Sequence, residues 1–303
     1  MKNVATLVCL MALLVVFAVS TSCAVVQNKV AVISLSGPIQ SESSSFFLGG
    51  NVITPESVRT ELERANNDVS VKAIVIQVNS PGGSVAASQE IAYMLEQVKK
   101  PVVISMGDLA ASGGYYISAG ADKIVALPGT LTGSIGVISE MPNLKGLFDK
   151  LGIDMQVFIA GKHKDMYAGF RQLTPEEEVI MQSMTDQLYA QFIQVVAEGR
   201  HLSEDKVRDL ATGQLYTGIQ AKELGLVDEL GGLQTAIDSA AILASISKPE
   251  VEYYKPQAPS LLNSLLGMGW QKLNNLIQPM SLSAEDIILI ETLANPYPQP
   301  EYR

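Results

Sequence analysis

After Asn28 the chain alternates short runs of apolar, largely β-branched residues with longer stretches in which apolar side chains recur every three or four positions. That alternation predicts β-α units around a buried sheet. Strands are expected over residues 30–35, 73–78, 102–105, 123–126 and 155–159, all too short and too apolar to lie on a surface. In Thr54-Pro55-Glu56 and Thr174-Pro175-Glu176-Glu177, a hydroxyl cap precedes proline at the first helical position. The helix opened by Thr54 extends to about Asn66, and the one opened by Thr174 ends near Gly199. Another covers 84–98, with Ile91, Leu95 and Val98 on one face; shorter helical stretches begin at Ser203 and occupy 221–224. Residues 40–51, rich in serine and glycine, read as a mobile surface loop.

The two ends break this pattern. Lys2 is followed by an apolar stretch over residues 4–19, then Ser20-Thr21-Ser22-Cys23 and further apolar residues to Val26. Three fates are open: a membrane-spanning signal anchor, cleavage before Cys23 with lipid attachment, or complete removal. Each carries the remaining chain out of the cytoplasm, because Lys2 is the charge that stays inside. Residues 260–278 place Leu262, Leu266, Trp270, Leu273 and Ile277 on one helical stripe, which suits packing against another subunit or lying on a membrane surface. Asn295-Pro296-Tyr297-Pro298-Gln299-Pro300 cannot form regular structure. The expected organisation is therefore a targeting segment over 1–26, one α/β domain over 29–245, and an extension over 246–303.

Composition narrows the chemistry. The 303 residues are 47% hydrophobic and 17% charged, and 21 basic against 31 acidic side chains give a net charge of −10. An acidic chain without a Lys/Arg run repels phosphate backbones, so nucleic acid is not an expected partner. The only cysteines, Cys9 and Cys23, lie in the N-terminal segment, which leaves the folded part without a disulfide framework or thiolate metal site. With His163 and His201 as the only histidines, no histidine-plus-carboxylate cluster suggests zinc.

Glycine-marked turns follow the expected strands. Asn79-Ser80-Pro81-Gly82-Gly83-Ser84 allows backbone N–H groups to point into a cleft at a helix N-terminus, although an ordinary turn has the same composition. Ala111-Ser112-Gly113-Gly114-Tyr115-Tyr116 gives Ser112 an unobstructed hydroxyl, with the Gly113 N–H placed to join that of Gly82 around an oxyanion; Ser112 could equally cap the helix. A nucleophilic serine needs a base, and Lys162-His163-Lys164-Asp165 follows the expected strand at 155–159. Lys164 can act only if it is desolvated and if Asp165 points elsewhere, for instance to Lys162; otherwise it is a solvated loop charge. Leu131-Thr132-Gly133-Ser134-Ile135-Gly136 supplies Ser134, either a turn residue or a hydroxyl able to hold the lysine amine.

Together these blocks, with Thr217-Gly218 and Gly225-Leu226-Val227-Asp228-Glu229-Leu230-Gly231, resemble the short form of the signal peptide peptidase A family over about residues 30–239. The resemblance implies a Clp protease/crotonase-like α/β fold of repeated β-β-α units with additional C-terminal helices. It implies Ser112 as nucleophile, Lys164 as general base, Ser134 as the hydroxyl orienting the lysine, and the Gly82 and Gly113 amides as oxyanion hole. No metal or nucleotide cofactor is required. Remnant signal peptides and other unfolded or hydrophobic peptides are the implied substrates, and membrane attachment and a homo-oligomer are implied with them. A crotonase-type acyl-CoA enzyme and a catalytically silent membrane scaffold of the same fold are the rival readings; related membrane proteases that cleave stomatin-like or phage capsid-associated proteins differ only in substrate.

Overall fold

A computed structural model describes residues 28–42 and 51–254. The expected targeting segment over 1–26, most of the serine-rich loop, the helical stripe expected over 260–278 and the proline-rich tail lie outside the described residues.

Five strands carry the centre of the sheet: β1 (Lys29–Ser36), β2 (Val71–Ser80), β3 (Val102–Ala111), β4 (Lys123–Ala126) and β5 (Leu131–Gly133). They are completed by β6 (Leu215–Thr217), β7 (Glu229–Leu230) and β8 (Glu250–Tyr254). The main path runs β6-β5-β3-β2-β1-β8, with β4 bridging β3 and β7, and every pairing is parallel except β5 with β6. Parallel strands need crossovers, and helices supply them. In chain order these are α1 (Pro55–Asn67), α2 (Val85–Glu96), α3 (Gly113–Tyr116), α4 (Lys145–Leu151), α5 (Pro175–Arg200), α6 (Glu204–Leu210), α7 (Gly218–Glu223) and α8 (Leu233–Leu243).

The apolar runs are continuous because the sheet is covered on both faces. Ala31, Ile33, Ile74, Ile76, Ile104 and Met106 point to one side, where α1, α2, α3 and the second half of α5 pack. Val30, Val32, Ala73, Val75, Val103 and Val125 point to the other, against Ala236, Ile237, Ala240 and Ala241 of α8. The period-two alternation is thus present, with both phases apolar. Each fully buried Val or Ile contributes roughly 2 kcal/mol.

The predicted caps form. Thr54 and Ser57 make a reciprocal capping box at α1, and Thr174 and Glu177 make one at α5. One expected strand does not form: residues 155–159 are irregular and pair with no strand among the described residues, and Met155, Val157, Phe158 and Ile159 are exposed, Phe158 at 95%. An apolar alternation becomes a strand only where a sheet edge accepts its backbone, and none of the described strands does so here. β3 is also longer than expected. Its first part pairs with β4 and its last three residues, Leu109–Ala111, pair with β5, so that one strand crosses from one neighbour to the other.

Candidate active site

β2 and β3 both end at the same edge of the fold, and the turns that follow them meet. Ser112 follows directly on Ala111, with φ 53° and ψ −121°, and α3 begins at the next residue. A side chain rarely adopts this backbone, and such conformations persist where the surroundings over-determine them. Here the Ser112 N–H donates to the Gly133 carbonyl (2.9 Å), while the Ser112 carbonyl accepts from the N–H groups of Tyr115 and Tyr116 (2.9 Å each). The hydroxyl makes no cap bond, so the reading of Ser112 as a side-chain helix cap is ruled out.

α3 is itself anchored. Tyr115 is fully buried and its hydroxyl donates to the Leu226 carbonyl at 2.9 Å; burial pushes its pKa well above the ordinary phenol range. Tyr116 packs on Phe192 of α5 with ring centroids 5.0 Å apart.

The glycine turn lies against this helix. Gly82 has φ +92°, and a Cβ there would lie 2.5 Å from the Gly113 nitrogen and 2.9 Å from the Ser112 Cβ, so both the backbone angle and the close approach require glycine. The Gly82 N–H donates to the Ser80 hydroxyl at 3.1 Å. On the side facing Ile39, the bridge uses the Gly82 carbonyl and the Ser84 N–H. In a parallel bridge the residue between them directs its own N–H the other way. The Gly83 N–H therefore faces the side on which Gly113 lies, and sequence inspection, which singled out Gly82, missed it.

Ser134 follows β5 as Ser112 follows β3. It also has positive φ, 49°, and its N–H donates to the Gln214 carbonyl at 2.8 Å. Thr132 and Thr130 tie β5 to β3 by donating to the Ala110 and Gly107 carbonyls, each at 2.7 Å. Ser112, Gly83 and Ser134 share a cleft of about 510 Å³ that extends along Val137, Ile138 and Tyr189. An apolar recess beside Ser112 and Gly113 is lined by Val85, Tyr116, Val137, Leu188 and Phe192.

Lys164 lines neither cavity and is exposed. Its neighbours are committed. Asp165 accepts from Arg171 Nε and Nη2 at 2.7 and 2.6 Å, so it is Arg171, and not Lys162, that takes its charge. Lys162 pairs with Glu176, and His163 lies 3.5 Å from Glu176 and 3.3 Å from Glu177. The structure therefore brings Ser112, Gly113, the Gly82-Gly83 turn and Ser134 together and leaves Lys164 on a separately pinned loop.

A strained serine at a strand-to-helix turn, beside the Gly113 amide and an apolar recess, can supply a nucleophile and an oxyanion donor for acyl transfer. The pattern of peptidase family S49 matches residues 94–247, and that of Clp protease matches residues 36–132. A protein of Synechocystis named as a protease is 38% identical over 259 residues, 85% of this chain and 89% of its own length. A protein of Enterococcus faecium bearing the name signal peptide peptidase SppA is 37% identical over 79% of this chain and 71% of its own length. Protease 4 of Haemophilus influenzae is 36% identical over 80% of this chain, which spans 40% of that longer protein. The chain belongs to peptidase family S49 and is a serine peptidase acting on peptides.

Proposed function

We propose that this peptidase is a membrane-associated endopeptidase, with its catalytic domain on the extracytoplasmic side, that hydrolyses remnant signal peptides and other unfolded or apolar peptides through a Ser112-Lys164 dyad. The observation that carries the reading is Ser112 itself, held in a strained turn with its hydroxyl uncommitted at the mouth of an apolar recess. Its Oγ attacks the peptide carbonyl carbon while its proton passes to the neutral Lys164 amine. The oxyanion rests on the Gly113 and Gly83 amides, because the Gly82 N–H is committed to the Ser80 hydroxyl. Collapse breaks the C–N bond, the leaving amine takes the proton from Lys164, and water activated by the same lysine then releases the acyl group from Ser112. Ser134 orients the lysine amine.

Lys164 lines neither cavity, so in this reading it serves Ser112 of a neighbouring copy. Support comes from the strip over 138–159, where Ile138, Leu147, Leu151 and Phe158 are exposed at 82%, 51%, 62% and 95%. Such a strip asks for a covering partner. The apolar residues 4–19 support membrane attachment, as an anchor or through lipidated Cys23; among the described residues no helix is long and apolar enough to cross a membrane. The name carried by the Enterococcus relative supports the substrate class. The test is cleavage of an unfolded apolar peptide by the full-length chain. Activity in the parent and none in Ser112→Ala or Lys164→Ala is expected; full activity in either variant refutes the dyad.

A further inference from the structure

The loop carrying Lys164 has four titratable side chains in succession, Lys162, His163, Lys164 and Asp165. Three of them are paired. Lys162 meets Glu176, His163 approaches Glu176 and Glu177, and Asp165 is taken by Arg171. Among the described residues the Lys164 amine makes no hydrogen bond or ion pair. Arg171 is the hub of this arrangement. Its Nε and Nη2 hold both Asp165 oxygens, and its Nη1 and Nη2 hold both Glu177 oxygens at 2.8 Å each. Glu177 is fixed in turn, because its side chain is 2% exposed and accepts the Thr174 N–H in the capping box of α5.

We propose that Arg171 is a positioning residue for Lys164: it draws the Asp165 carboxylate away from the lysine amine and fastens their loop to the N-terminus of α5. The inference rests on Lys164 being the general base. A lysine serves as base only as the neutral amine, and an unengaged carboxylate one residue away favours the ammonium. Arg171 holds the Asp165 carboxyl below its ordinary range, so Asp165 stays ionised, and its charge is answered by the guanidinium. Without Arg171, Asp165 and the nearly buried Glu177 face each other, and Lys164 is the adjacent cation without a partner. A planar fork can engage two carboxylates at once, which an ammonium cannot do with the same geometry.

The test follows the pH dependence of Lys164 acylation by an amine-directed reagent, read by mass spectrometry on the full-length protein, beside the pH profile of peptide cleavage. Lys162 and His163, facing Glu176 and Glu177, are followed as controls. Arg171→Met is expected to move the Lys164 midpoint, and the rising limb of cleavage, to higher pH by about one unit. Arg171→Met combined with Asp165→Asn is expected to restore both. A midpoint that stays put in Arg171→Met, or that moves equally in the double variant, overturns the proposal. Should Arg171→Met lose the parental circular dichroism, Arg171→Lys takes its place with the same ordering expected, and unfolding of both variants assigns Arg171 a purely structural role and overturns the proposal. Cleavage surviving in Ser112→Ala would refute the dyad while leaving the amine titration to judge Arg171 independently.

Discussion

Ser112 and Ser134 stand side by side at the ends of two paired parallel strands: Ala111 is in register with Gly133, and the Ser112 N–H donates to the Gly133 carbonyl at 2.9 Å. Both serines have positive φ, 53° and 49°. The sheet thus presents two hydroxyls to one cleft, each on a turn that a side chain enters at a cost.

That cost should be measurable at Ser112. Ser112→Gly removes the Cβ responsible for the strain and leaves the Ser112 backbone bonds in place, so it is expected to stabilise the fold by about 1 kcal/mol while abolishing hydrolysis. Thermal unfolding beside a cleavage assay checks both. A lower melting temperature would show that the hydroxyl stabilises the turn.

The recess beside Ser112 should set the side chain accepted next to the scissile bond. Val85 lines both cavities and is the first residue of α2, where a carboxylate is favourable to the helix end. Val85→Asp is therefore expected to fold, to lose at least about tenfold in kcat/KM on apolar peptides, and to gain on peptides carrying lysine at that position. The ratio of kcat/KM for the two peptides is the measurement, and an unchanged ratio removes the recess from specificity.

Acid should weaken the anchorage of the Lys164 loop. Bonds from Arg171, then from the Thr174 backbone, hold the Glu177 carboxyl below its ordinary 4.5, and Arg171 likewise lowers Asp165 below 3.8. A depressed folded-state pKa contributes stability that is present above the unfolded value and lost as pH falls through the folded one. The melting temperature is thus expected to fall as pH drops below about 4.5, less steeply in Glu177→Gln. Parallel pH curves for parent and variant would contradict this.

Much of this could be read from residues alone. The runs that became β1 to β4 are apolar in both phases because helices cover both faces, and the hydroxyl-proline starts at Thr54 and Thr174 form the predicted caps. The Pro-Gly-Gly and Ser-Gly-Gly turns pointed to Ser112 because close backbone approach permits few residue types. Strands of three residues, such as β5 and β6, are too short to show a period, and β8 hides behind Glu250 and Glu252. Gly107 and Asp108 masked the continuation of β3 toward Ser112. Residues 155–159 fail in the opposite sense, since local alternation carries no information about whether an edge exists to receive it. Arg171, six residues from both Asp165 and Glu177, was invisible as their link because no periodic element connects them.

The central claim is that Ser112 is a nucleophile activated by Lys164. Its most direct test is reaction of the full-length protein with a fluorophosphonate, followed by peptide mass spectrometry. The predicted result is a single adduct on Ser112 whose rate of formation collapses in Lys164→Ala; an adduct on another residue, or Ser112 labelling that proceeds undiminished without Lys164, would contradict it.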